Sequence, residues 1–291
     1  MKFSVVIPVK DEVDLMMKTL PSYYAIKPSE ILICTDKPAP LVVKKVVKRI
    51  AAFFNAEELT KIVEVERDPE WRYHQAHVRR EGFHKAKYDK ILTGDIDLLI
   101  NKNVRKALNL VGKNGVGLAS MSKFRYPNNF RNIWILIVDT LLSKTIHSKS
   151  NSNKVMTNFT GLYALWKPYW LEIETEEEIK RLVSPKQLFR GKKPDLKNAS
   201  AITGEDTFLR DQMLKKYNCL YLTDVGAIDL GKNVERLPSI QFMKGRYFAH
   251  HGRSLLITIG RAIMRVQPHY LMGHLSVIWE GRKRARAQTG N

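Results

Sequence analysis

Four short apolar runs, each set between polar residues and a helical pattern, constrain the fold of this chain more than any other feature. Phe3 to Val9 is β-branched and closes around Pro8, and Ile31 to Cys34 is a second such run. Lys61 to Val65 and Ile91 to Thr93 complete the set. Continuous apolar runs of this length read as strands buried on both faces. Between them lie helical patterns: Leu15, Met16, Thr19 and Leu20; then Leu41 to Phe54, with Val43, Val46, Val47, Ile50 and Phe54 on one side; then Arg79 to Lys87. Such alternation predicts an α/β chain, a mostly parallel sheet covered by helices. Ligands of those sheets bind outside the carboxyl ends of the strands. In this chain those ends carry Asp11 and Glu12, then Asp36, then Asp95 and Asp97.

The last pair carries the most chemistry. In Ile91-Leu-Thr-Gly-Asp95-Ile-Asp97-Leu-Leu-Ile100 two carboxylates interrupt an apolar run. Residues two apart on an extended strand share a side, so both carboxylates are expected to point the same way. Buried carboxylates are rare unless paired or metal-bound. A hard divalent cation held by one or two carboxylates, with phosphate oxygens completing its shell, would explain them. A turn is the plainer explanation, since Gly94-Asp95 is good turn chemistry. The first glycine of the chain is Gly82, so no glycine-rich cradle follows the first strand. That argues against a P-loop or a dinucleotide fingerprint.

Composition narrows the partners. The 291 residues suffice for one large domain or two small ones, and their formal charge is +20. That excess attracts polyanions: nucleic acid, phosphorylated substrates or an anionic membrane. Cys34 and Cys219 are the only cysteines, which disfavours a disulfide framework or a zinc site and suits a reducing cytosol. The apolar stretch after Met1 is too short for a signal-peptide core, and no run reaches the roughly eighteen apolar residues of a membrane span. A cytoplasmic protein is expected, with peripheral contact at the inner face of the cell membrane.

Together these residues resemble the inverting family 2 glycosyltransferases of GT-A fold. The likeness rests on Ser4-Val-Val-Ile-Pro8 with Glu12, on the strand ending at Asp36, and on the D-x-D. It extends to Gly82, thirteen residues before Asp95, with Arg79 in the arginine slot and Ala86 in a small-residue slot. Gly204-Glu205-Asp206 resembles the family's Glu-Asp motif, and Thr160 to Lys167 its strand beneath the acceptor. The resemblance covers residues 3 to 215 and implies a GT-A type, Rossmann-like nucleotide-binding sheet flanked by helices. It further implies transfer of a sugar from a UDP- or GDP-linked donor, with Mn2+ or Mg2+, to an acceptor hydroxyl or a lipid phosphate on a glycan or lipid carrier. Carried over residue by residue, Pro8, Glu12 and Asp36 contact the nucleoside. Arg79 stabilises the leaving diphosphate, Asp95 and Asp97 hold ribose, diphosphate and metal, and Asp206 is the base that deprotonates the acceptor. A late histidine, His250 or His251, completes the metal shell in some relatives, and His251 is the choice here. Two positions depart from the pattern: Thr35 replaces an aspartate that often reads uracil, and Arg80 replaces an asparagine and is either a second cation near the phosphates or surface charge.

Other features carry plainer alternatives. Thr203-Gly-Glu-Asp206 also fits a helix capping box. Ile133 to Leu142 can form a helix with Trp134, Ile137, Val138 and Leu141 on one face, either core or lipid-facing. Glu172 to Glu178 and Lys186 to Lys197 read as solvated charge, with a polar loop from Ser143 to Lys154, and His74-x-x-His77 as no metal site. From Lys244 to Asn291 nine Lys or Arg stand against Glu280 alone. In Ser254 to Val266, Leu255, Ile259, Ala262, Ile263 and Val266 oppose Thr258, Arg261 and Arg265, and Pro268 ends the helix. A second apolar segment, Tyr270 to Trp279, follows, then Arg282-Lys-Arg-Ala-Arg286. The expected division is a GT-A domain over 1–240 and a helical, basic C-terminal extension over 241–291, packed on the domain or on an anionic membrane. Two other classes compete. A sugar nucleotidyltransferase would want a glycine-rich first loop, and a basic nucleic-acid-binding protein would explain the charge but not the aspartate pair.

Overall fold

The computed structural model describes residues 1–71, 73–125, 130, 133–134, 137, 161–180, 205–230, 241–243, 245–246, 249, 254–264 and 266–289. Two compact units emerge. The first comprises Met1–Tyr126, Leu142–Leu182 and Thr203–Gly231; the second comprises Pro127–Leu141, Val183–Ile202 and Lys232–Asn291.

The first unit is built on a mixed sheet. Strands β1 (Ser4–Pro8), β2 (Glu30–Asp36), β3 (Thr60–Val65) and β4 (Lys90–Thr93) lie in the order β3-β2-β1-β4. These four are parallel, with Ser4 level with both Glu30 and Ile91. The sheet continues through β7 (Tyr163–Trp166), antiparallel to β4, then β6 (Val116–Arg125), β8 (Asn218–Asp229) and β5 (Leu98–Ile100). Val5, Ile7, Ile31 and Ile33 pack against α1 (Val13–Ala25) and α2 (Leu41–Phe53) on one face. Val6, Leu32 and Cys34 pack on the other against α3 (His74–Lys85). That two-sided burial explains why the strands read as unbroken apolar runs.

Helix α3 begins five residues before the expected start at Arg79. Its first turn, His74-Gln-Ala-His, carries little apolar signal, and burial of Ala76, Val78, Arg79, Gly82 and Phe83 holds the helix instead. Gly82 is its point of closest approach. A Cβ there would stand 2.5 Å from Val6 Cγ1 and 2.6 Å from Cys34 Sγ, so the sheet admits only glycine at this crossing. Short helices α4 (Arg105–Leu110), α5 (Lys167–Ile173) and α6 (Glu176–Lys180) follow, and α7 (Glu205–Lys216) precedes β8.

In the second unit, residues 130, 133, 134 and 137 are helical, as are 241–243, 245–246 and 249. They accompany α8 (Leu255–Met264) and α9 (Pro268–Thr289). Pro268 opens α9 rather than merely ending α8, as suits a residue whose missing N–H is an orphan in a first turn anyway. Glycines set the packing: a Cβ on Gly245 would collide with the Tyr270 carbonyl, and one on Gly273 with the Phe242 carbonyl. Arg246 grips Glu280 with both guanidinium nitrogens and also reaches Ser276. The expected division of α8 holds only in part: Ala262 is buried, and Leu255 and Ile259 are half-buried. Thr258 is fully buried and shares a 3.0 Å hydrogen bond with His274, whereas Ile263 and Val266 are exposed.

Candidate active site

Parallel strands that end together leave a crevice at their carboxyl ends, and the acids expected there are found there. β4 stops at Thr93, so Asp95 and Asp97 sit in the turn before β5 and not on a strand. Strand alternation is therefore not what brings them together. The turn is closed by Leu98 N–H donating to the Asp95 carbonyl at 3.2 Å, and α1 braces it. Tyr23 Oη donates to the same carbonyl at 3.0 Å, and Thr19 Oγ1 donates to that of Ile96. Gly94 leaves room for Tyr23, whose hydroxyl would lie 2.7 Å from a Cβ there. The turn and the acid pair proposed from sequence are thus one object.

The two carboxylates have different surroundings. Asp95 Oδ1 accepts from Arg79 Nη2 at 2.6 Å, and the arginine is only 1 % exposed. A guanidinium so deeply placed holds its partner in one orientation. Asp97 Oδ1 is buried and accepts no hydrogen bond. Burial, opposed by Lys123 and reinforced by Asp95 and Asp229, pushes the Asp97 carboxyl up to about 6. Lys123 on β6 reaches Asp229 on β8 at 3.3 Å. Burial works to lower this lysine, yet Asp95, Asp229 and Asp97 hold it above its ordinary value. Neither Lys123 nor Asp229 was singled out from sequence. The available signal was weak: an acid ending the apolar run Val225 to Ile228, and a lysine within a strand.

Asp97 is not alone in lacking a partner. Thr35 Oγ1 on β2, Thr93 Oγ1 at the end of β4, and Nδ1 of both His74 and His77 on α3 are also buried and unbonded. Buried polar atoms in folded proteins are nearly always satisfied, so each exception asks for a ligand or water. Asp36 bonds His74 Nε2 at 2.9 Å and lies 4.0 Å from Arg67. His77 stacks on Trp71 at 4.4 Å, with Arg80 over the same indole. The His74-x-x-His77 pair, discounted from sequence, therefore borders the strand ends.

The remaining expected residues divide. Pro8 is buried at the end of β1. Glu12 is exposed and folds back to accept from the Lys10 and Asp11 N–H groups at 3.0 and 3.3 Å, organising its own loop. Arg80 is not free surface charge. It bonds Glu174, and Glu176 at 2.9 Å, tying α3 to the α5–α6 segment, so Glu174 is a half-buried partner rather than a solvated acid. Asp206 falls in the first turn of α7, and its side chain lies outside the described residues, as do Thr203, Gly204, His250 and His251. The loops 143–154 and 186–197 also lie outside them. A hollow between α3 and α5–α7 is lined by Arg79, Phe83, Trp170 and Leu209, and Asp95 and Asp97 are not among its lining residues.

A hard divalent cation suits this donor set. Among the described residues no three His, Cys, Asp or Glu side chains form a ready cage. An unbonded carboxylate oxygen beside a second carboxylate nevertheless matches a cation that takes most of its shell from substrate phosphates.

Comparison with known proteins agrees on architecture. The chain aligns over its full length with 76 % of a mannosyltransferase, PcManGT from Pyrobaculum calidifontis, solved with GDP-Man and Mn2+ (TM-score 0.57, 15 % identity). It aligns over 95 % of its length with 72 % of S. aureus TarS 1–349 (TM-score 0.51, 13 % identity). A TarS 1–349 structure with UDP aligns over 86 % of this chain and 64 % of that one (TM-score 0.52, 15 % identity). The fold is GT-A-like. No protein-family model matches the chain, and no curated protein sequence does.

Proposed function

We propose that the chain is a metal-dependent glycosyltransferase of the family 2, inverting type. It would move a sugar from a nucleotide diphosphate donor to a glycan or lipid-linked acceptor. The observation that carries this reading is the unbonded, buried Asp97 Oδ1 next to an Asp95 clamped by Arg79. An oxygen left unsatisfied at a strand end is costly to the empty fold and useful only to a ligand. The bound forms of the structural neighbours, GDP-Man with Mn2+ and UDP, support a nucleotide sugar without choosing the base.

Each residue then has a task. Asp97 with Asp95 would hold the cation, and Arg79, too deep to reach solvent, would act through Asp95 as a positioning residue. A bound Mn2+ or Mg2+ would neutralise charge developing on the departing diphosphate. Pro8, Asp36 and the Glu12-organised loop would border the nucleoside, with His74 fixing the Asp36 carboxylate. Asp206, at the start of α7, would take the proton of the acceptor hydroxyl as it attacks the anomeric carbon and the sugar–phosphate bond breaks. His251 remains the proposed late metal ligand.

Thermal unfolding with UDP, GDP and their sugar conjugates, with and without Mn2+, tests this. Ligand near a hundred times its Kd should raise the midpoint by roughly 5 °C, with Mn2+ and one nucleotide only. Asp97→Asn should abolish that rise. If no nucleotide shifts the midpoint with any metal, the donor site is wrongly assigned.

A further inference from the structure

The second unit turns apolar side chains outward on three helical stretches. Phe130, Ile133, Trp134 and Ile137, at 81, 43, 40 and 48 % exposure, follow the i, i+3, i+4, i+7 spacing of a single helix face. On α8, Leu256, Ile257 and Ile263 are exposed, while polar Thr258 is buried against His274. On α9, Met272, Leu275 and Trp279 share one face, with Trp279 68 % exposed. A helix in water ordinarily keeps its apolar stripe against its neighbours and turns a polar face outward. Isolated exposed apolar residues need no explanation, but three such helical faces in one unit do.

We propose that these faces are a docking surface for an anionic lipid bilayer, into which the unit inserts from one side. Charge decides the occupant. Nine Lys or Arg and one acid lie between Lys244 and Asn291, and that acid, Glu280, is gripped by Arg246. A two-fold contact with a second copy would set this basic segment against itself. Anionic head groups complement it, at distances where each basic residue adds attraction. The order along α9 fits as well. The apolar face ends at Trp279, and Arg282, three residues on, is exposed. An indole between an apolar band and a cationic band suits the depth of the head groups. No helix among the described residues is long and apolar enough to cross a membrane, so the unit would lie in the interface. The surface belongs to the second unit and stands whether or not the donor site is correctly read.

The test uses the full chain and vesicle flotation, comparing phosphatidylcholine alone with vesicles carrying about 30 % phosphatidylglycerol. The chain should float with the anionic vesicles at about 50 mM salt and keep part of its binding at about 500 mM, where surface charge is screened. Leu256→Asp, Ile263→Asp and Trp279→Asp combined should cut binding at least roughly tenfold while the melting temperature holds. In the unmutated chain, tryptophan emission should shift blue on binding and be quenched by brominated lipid, with the quenching reduced in Trp279→Phe. Absence of flotation at low salt would overturn the proposal. So would unchanged binding of the triple variant, which leaves charge alone as the cause, or a dimer that the variant dissociates while vesicles bind neither form.

Discussion

The two ends of the parallel strands treat a buried carboxylate in opposite ways. At the amino end, Glu30 opens β2 at 3 % exposure and is fully served. It accepts from Ser4 Oγ at 2.7 Å, from Lys87 N–H at 2.8 Å and from Lys61 Nζ at 3.2 Å. Burial works to raise its pKa, but these three donors leave it below the ordinary glutamate value. At the carboxyl end, Asp97 keeps an unbonded oxygen and is pushed up to about 6. One end is finished as structure and the other is left open. A fold selected only for stability would have satisfied both.

That contrast can be broken most forcefully at Arg79. Removing its guanidinium in Arg79→Met leaves Asp95 without its buried partner, and should cost roughly 3 kcal/mol in urea unfolding. A loss below about 0.5 kcal/mol would mean the pair is not formed in solution. Next, Glu30→Gln should cost roughly 2 kcal/mol at pH 7.5, since it removes a charged acceptor from three donors. Asp97→Asn should have the opposite sign. It relieves a carboxylate that burial and two like charges disfavour, and should gain on the order of 1–2 kcal/mol in metal-free buffer. A loss of stability in that variant would show that Lys123 outweighs the desolvation.

The pH dependence separates the two carboxylates further. Glu30 has a depressed folded pKa, so its contribution is complete above the ordinary glutamate value near 4.5 and fades only as pH falls through its lower folded value. Asp97 has a raised folded pKa, so its ionisation penalty is complete above about 6 and disappears as pH falls towards the ordinary 3.8. At about pH 5 the Asp97→Asn gain should therefore have fallen to roughly half while the Glu30→Gln loss is intact. Unfolding curves of both variants and the parent at the two pH values check this, and it is the smallest of the expected effects.

The second unit repeats the lesson with the chemistry reversed. The strand ends bury polar atoms without partners, whereas α8 and α9 expose apolar ones without cover. Each departure gives up stability in the isolated chain, and each asks for a different environment: a hydrophilic ligand in one case, an apolar surface in the other.

Sequence by itself determined the parallel core and its order of acids. Strands buried on both faces must be continuously apolar, and an acid that ends such a run stands out, as Asp36, Asp95 and Asp97 do. It also determined that Gly82 and Arg79 belong on one helix close to the sheet. It could not determine partners, because pairing between residues distant in sequence leaves no local pattern. His74 with Asp36, Arg80 with Glu174, and Lys123 with Asp229 are of this kind. Nor could it tell which side of an amphipathic helix faces inward. The spacing of α8 allows either face to be buried, and only packing against α9, where Thr258 meets His274, left Leu256, Ile257 and Ile263 outward. Periodicity is a property of one helix, while burial belongs to the pair, so tertiary contact alone decided it.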